Sequence, residues 1–262
     1  MHGVSRNPPP GAHAQHWWRS VAGDIGQGSL VSEVQWWNAD LVELEAARSL
    51  IRAIRPDAIF HLASLATGSR SLEKVLPLLH NNFMTAFNLL IAGAENSAGR
   101  MVLAGSFEEP DEVDTAPCSP YAAAKWAASG YARMFHALYQ VPVVVAKIFM
   151  VYGPGQLDYT KLIPYVTLSL LRGEAPMLSS GARLVDWIYV DDVVDGLIGC
   201  AQAPGIEGRT VNSDQARCIR YERSLGSWLI SSLPRLAHSS EPCLTGSLSG
   251  LGKRISSIPT NS

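Results

Sequence analysis

Short apolar runs alternate with amphipathic stretches along most of the chain. Gly3-Val-Ser-Arg6 is a short strand that stops at Asn7-Pro-Pro-Pro-Gly11, because proline supplies no N–H to a ladder. Residues 12–33 have no sustained period and predict an irregular excursion. Val34-Gln-Trp-Trp37 predicts a second short strand. From Glu43 to Ile54 the apolar positions Leu44, Ala47, Leu50, Ile51 and Ile54 recur with a helical period, which Arg55-Pro56-Asp57 breaks. Ala58 to Ala63 is nearly all apolar, as a parallel strand buried on both faces requires. A helix at about 75–95, a strand at 100–104, an acidic loop at 107–117, a helix at 120–138 and a strand at 141–148 follow. Strands and helices alternating in this way predict an α/β fold with a mostly parallel sheet. From Ser224 the pattern fades into a Ser-rich tail, 224–262, with one short helix predicted at 224–232.

The composition supports a folded domain and narrows its class. Apolar residues are 47% and charged residues 17% of 262, enough for a sizeable core and too apolar for wholesale disorder. A net charge of −2 excludes a strongly basic nucleic-acid surface as the main design. The paired tryptophans Trp17-Trp18 and Trp36-Trp37 therefore read as packing residues, and no nucleic-acid partner is expected. Cys118, Cys200, Cys218 and Cys243 form no Cys-x-x-Cys pair, which argues against a disulfide scaffold or structural zinc. His13-x-x-His16 lacks a third ligand nearby, so no metal is expected. No stretch reads as a membrane span, and the first ten residues lack a signal peptide's apolar core, so the expected compartment is the cytoplasm.

Candidate chemistry concentrates at Ser119-Pro-Tyr-Ala-Ala-Ala-Lys125. Tyr121 and Lys125 are four apart and share one helix face. A phenol with a pKa near ~10 is a poor base at neutral pH. A neighbouring ammonium favours the phenolate, so the pair is expected to be an acid–base unit with a depressed tyrosine pKa. Upstream, Ala104-Gly-Ser106 ends a predicted parallel strand, where ligands bind in open α/β sheets. Glu108 and Glu109 place two carboxylates at the same mouth, and either suits acid–base work on elimination of water.

These motifs, taken together, resemble a known family. Tyr121-Ala-Ala-Ala-Lys125 and Ser106 stand with His61-Leu-Ala-Ser64, Asn82, Phe149-Met-Val-Tyr-Gly-Pro-Gly155 and Asp186-Trp-Ile-Tyr-Val-Asp-Asp192. In that order, over roughly residues 1–215, the chain is similar to the extended short-chain dehydrogenase/reductases, in particular the NAD-dependent epimerase/dehydratase group acting on nucleotide sugars. The resemblance implies a Rossmann-like doubly wound parallel sheet over 1–150. Substrate-domain elements follow over 151–223, returning to the sheet near 186–212. The substrate is expected to be a nucleotide sugar and the intermediate a 4-keto sugar. By the resemblance Tyr121 is the base, Lys125 holds the nicotinamide ribose and Ser106 orients the sugar hydroxyl. Glu108 is the acid–base glutamate, a feature that favours 4,6-dehydration. Asp40 and Leu41 are implied at the adenine, Leu62, Ala63 and Ser64 along the cofactor, Asn82 as a brace, Phe149 beside the nicotinamide and Met150 at the substrate. Arg6 ends the first strand where the adenosine ribose is read, and an arginine there favours NADP over NAD. A homodimer through the helices near 75–95 and 120–138 is implied as well.

The chain also departs from the family. It has no Gly-x-x-Gly-x-x-Gly run, and Gly23-Asp-Ile-Gly-Gln-Gly28 neither follows a strand nor opens a helix. The expectation is a sheet truncated at its N-terminus, lacking the first strand, phosphate loop and first helix, with a gap flanked by unpaired edges. Lys147, Met150 and Val185 also stand where arginine, asparagine and arginine are usual. The substrate region is expected to be small and degenerate. Two functional readings follow: an epimerase or dehydratase, or an inactive, truncated member that only binds a nucleotide sugar or a partner subunit.

Overall fold

The period-two alternation of apolar residues along the central strands sets up two packed faces. In the computed structural model, which describes residues 1–7, 34–112, 114–178 and 185–212, strands β3 (Ala58–His61), β4 (Arg100–Ser106), β5 (Val143–Ile148) and β8 (Thr210–Asn212) form one parallel sheet in the order β3-β4-β5-β8. Met101, Leu103, Val143 and Val145 point to one face and meet Leu89, Leu90, Ala128 and Phe135. Val102, Val144 and Ala146 point to the other and meet Val193, Leu197 and Cys200. The first face is covered by α1 (Leu44–Ile54), α2 (the helical run Leu72–Asn96) and α3 (Pro120–Tyr139), the second by α5 (Val190–Gln202). This is the doubly wound arrangement expected of the pattern.

Two further parallel pairs complete the described part. β1 (His2–Ser5) pairs with β2 (Gln35–Asn38), and β6 (Met150–Tyr152) pairs with β7 (Trp187–Tyr189), with α4 (Leu162–Leu171) between the latter two in sequence. Among the described residues β1 pairs only with β2, and β3 only with β4. Val4, Phe60 and Leu62 beside those edges are 38%, 42% and 51% exposed. The Gly23–Gly28 segment, His13, His16, Trp17, Trp18 and the tail 224–262 lie outside the described residues.

Local chemistry explains the helix ends. Ser119 caps α3 by accepting the Ala122 N–H at 3.1 Å, and Pro120 occupies the first turn, where its missing N–H costs nothing. Tyr121 is thereby fixed in the first turn of α3, at the mouth of the sheet. Within α2, Leu79–Met84 forms a π turn, whose extra residue re-aims Asn82. The 25-residue run of α2 is long and apolar enough by composition to cross a membrane, which differs from the sequence expectation. Its apolar residues serve the core instead: Ala86, Leu89, Leu90 and Ala92 pack against β4, β5 and α3.

Candidate active site

Parallel strands put their C-terminal ends on one edge, and the candidate residues gather there. Ser106 is the last residue of β4 and is buried. Lys125, one helical turn beyond Tyr121, is also buried and donates its Nζ to the Ala104 carbonyl at 2.8 Å. The ammonium lies 6.0 Å from the centre of the Tyr121 ring. The Tyr121 hydroxyl is hydrogen-bonded to Ser106 and Ser64. Ser64 in turn donates to Asn82 Oδ1 at 2.7 Å. Asn82 also accepts the Leu65 N–H at 2.9 Å and donates to the Leu65 carbonyl at 3.1 Å. The π turn of α2 thus clamps the segment leaving β3, and that segment touches the phenol.

The electrostatics correct one expectation. Tyr121 was expected to be acidified by Lys125, but its pKa is raised above the usual phenol value. Burial is the main cause, with Glu108 and Glu109 adding to it, and hydrogen bonding to Ser106 and Ser64 pulls the other way. Lys125 is not among the causes of that shift, and burial lowers its own pKa to about 8. Spacing along a helix puts the two groups on one face but does not report how dry that face is.

The two glutamates separate in the structure. Glu108 is half-buried, receives a 3.4 Å hydrogen bond from the Ser119 hydroxyl, and its N–H donates to Ser106 Oγ at 3.2 Å. Glu109 folds back under the strand end, is buried, and accepts the Ser106 N–H through Oε1 at 2.7 Å. Gly105 makes room for it: a Cβ at that position would stand 2.8 Å from Glu109 Oε1. The missed signal is that glycine, which permits the close approach. Lys147, buried in β5, ties the following loop down through Asp111 at 2.5 Å.

The remaining candidates fall in three places. Arg6, just past β1, lies 3.9 Å from Asp40, while Asn38 Nδ2 donates to the Arg6 carbonyl at 3.2 Å. Asp40 Oδ1 accepts the Val42 N–H, and the Leu41 carbonyl accepts from Asn88. Leu62, Ala63 and Ser64 form an exposed segment directly after β3. Phe149 stacks on Phe107 with ring centres 6.0 Å apart, beside Ser106. Met150 is held in the β6 ladder opposite Trp187. The donor set suits a dinucleotide at its two ends: a cation and a carboxylate past β1 and β2 for the adenosine, hydroxyls and an ammonium at the β3–β4 ends for the nicotinamide ribose. The described residues supply no glycine-rich turn between a strand and a helix for the pyrophosphate.

Residues 3–212 match the NAD dependent epimerase/dehydratase family. A dTDP-glucose 4,6-dehydratase of Xanthomonas campestris is 33% identical over 198 residues, covering 73% of this chain and 55% of the relative. A UDP-glucuronate 4-epimerase of Thermodesulfobacterium geofontis is 26% identical over 183 residues, covering 66% and 56%. The chain spans about half the length of the curated relatives it matches. Among solved structures, the Streptomyces venezuelae dTDP-glucose 4,6-dehydratase DesIV with NAD and TYD bound superposes with a TM-score of 0.60 at 26% identity, covering 69% of this chain and 58% of that one. A Bacillus cereus UDP-glucuronic acid 4-epimerase in complex with UDP-glucuronic acid and NAD gives a TM-score of 0.64 at 21% identity over 80% of this chain and 68% of that one, a likeness of fold.

Proposed function

Because the chain belongs to the NAD dependent epimerase/dehydratase family, we propose that it oxidises a nucleotide sugar at C4 to a 4-keto sugar, as an epimerase or 4,6-dehydratase. The observation that carries this reading is the convergence of Tyr121, Ser106, Ser64 and Lys125 at the β3–β4 ends. When bound, an oxidised nicotinamide ring supplies the hydride acceptor. Tyr121 takes the proton of the sugar 4-hydroxyl and later returns it. Ser106 orients that hydroxyl, Lys125 holds the ribose, and Asn82 keeps Ser64 in place. Glu108, beside Ser119, serves the proton transfers of water loss and tilts the reading towards dehydration. The test is incubation with NAD or NADP and UDP- or dTDP-linked hexoses, with products resolved by NMR. Epimer or 4-keto product supports the reading; saturable binding of UDP or dTDP with no product favours the non-catalytic alternative.

The cofactor is proposed as NAD or NADP, with Arg6 favouring NADP. An exposed guanidinium near Asp40 is placed to pair with a ribose phosphate, although the carboxylate shares its charge. Replacing Arg6 by alanine is expected to weaken NADP binding about fivefold to tenfold relative to NAD, read by cofactor fluorescence. Equal loss for both cofactors removes Arg6 from phosphate recognition.

A homodimer through α2 and α3 is proposed on the same basis. Leu72, Leu76, Tyr131 and Leu138 on these helices are exposed, an apolar surface that a second copy would cover. Sedimentation is expected to report twice the 28.3 kDa chain mass. Tyr131→Glu is expected to shift the sedimenting species to the single-chain mass.

A further inference from the structure

We infer that Glu109 is a positioning residue of this site, its buried carboxylate fixing Ser106 through the backbone and acting as the counter-charge of the Lys125 ammonium. Its functional meaning rests on the acid–base reading above.

The argument begins with burial. A carboxylate out of water is costly unless it is hydrogen-bonded and balanced by charge. Glu109 is 5% exposed, and its Oε1 takes the Ser106 N–H at 2.7 Å. Its own N–H donates back to the Ser106 carbonyl at 3.1 Å, closing a tight turn at the end of β4. The side chain occupies space that only a glycine at position 105 leaves open. Such a construction is more than a solvated acidic loop needs.

The charges facing Lys125 explain what the construction does. From β3 comes His61, a neutral imidazole; from β4, the Ala104 carbonyl; from its own helix, the Tyr121 ring. Glu109 is the anion that favours the ammonium against its burial. Glu108 has no such effect on Lys125, while both glutamates raise the Tyr121 pKa. Of the two adjacent glutamates, only Glu109 supports the lysine's charge, and the two share the phenol.

The chain has five lysines, so ε-carbon-13 labelling with assignment by Lys125→Met isolates the Lys125 resonance. Glu109→Gln keeps an acceptor for the Ser106 N–H and removes the charge. Half-protonation of Lys125 is then expected to require about threefold to tenfold more protons than in the parent chain, whereas Glu108→Gln leaves that midpoint within about twofold. An unchanged midpoint in Glu109→Gln, or an equal movement in Glu108→Gln, overturns the assignment. Should Glu109→Gln fail to fold, Gly105→Ala, which puts a Cβ 2.8 Å from Glu109 Oε1, displaces the carboxylate instead: the Lys125 midpoint is expected to move in the same direction, and an unchanged midpoint overturns the assignment. The titration needs no sugar and no cofactor. A chain that turned over no nucleotide sugar would sink the functional reading and leave this one standing.

Discussion

Tyr121→Phe is expected to lower turnover of any accepted nucleotide sugar by about 10²- to 10⁴-fold, the usual worth of a positioned acid–base group, with little change in KM. The substitution removes one oxygen and leaves the ring that packs at the N-terminus of α3. Binding contacts made by the rest of the cleft are untouched, so the loss falls on the chemical step. The raised phenol pKa adds a second signature. Proton abstraction requires the phenolate, and a group whose pKa is raised yields that form only as pH climbs. The parent rate is expected to rise with pH on the alkaline side of neutrality, and the rise is expected to vanish in Tyr121→Phe. Measurement of product formation by NMR across pH 6–10 checks both points. A variant that retains turnover within about threefold of the parent chain excludes Tyr121 as the base.

What could be read from the chain, and what could not, divides along physical lines. The strands Arg100–Ser106 and Val143–Ile148 were legible because strands covered on both faces need unbroken apolar runs. Helix α3 was expected at 120–138, and its start is fixed by the Ser119–Pro120 cap that the structure shows. The pairing of Tyr121 with Lys125 followed from helix geometry alone. Their electrostatics did not, since burial depends on what the sheet and α2 place around them. By charge and position alone Glu108 and Glu109 were alternatives, and the family resemblance favoured Glu108. Which of them turns inward is decided by the absence of a side chain at Gly105, a cue that becomes readable only once the strand end is known. The π turn that aims Asn82 at Ser64 and Leu65 left no mark in the apolar period of α2.

The largest stability effect is expected on the acid side, from His61. Its ring is buried at the end of β3, and Nε2 lies 3.1 Å from Thr85 Oγ1. The Thr85 hydroxyl spends its hydrogen on the Asn81 carbonyl at 2.9 Å, so the imidazole must donate from Nε2. Burial, aided by the Lys125 charge, pushes the pKa from 6.5 down to about 3. Below pH 6.5 the unfolded chain therefore binds a proton that the folded chain refuses until about pH 3. Stability is unaffected by this group above 6.5 and is lost as pH falls through that window, by about 3 kcal/mol at pH 4.5 and up to about 5 kcal/mol at its lower end. Urea unfolding at pH 7.0 and 4.5 reads the difference. His61→Gln keeps a donor for Thr85 but cannot take up a proton, so its unfolding free energy is expected to fall less over the same interval, by about 3 kcal/mol. Equal losses in both chains would place the acid sensitivity elsewhere. Since Asn81 lies in the turn that presents Asn82 and Thr85 borders it, protonation of His61 would loosen the clamp on Ser64 before the sheet gives way, and acid inactivation is expected to precede loss of the far-ultraviolet signal.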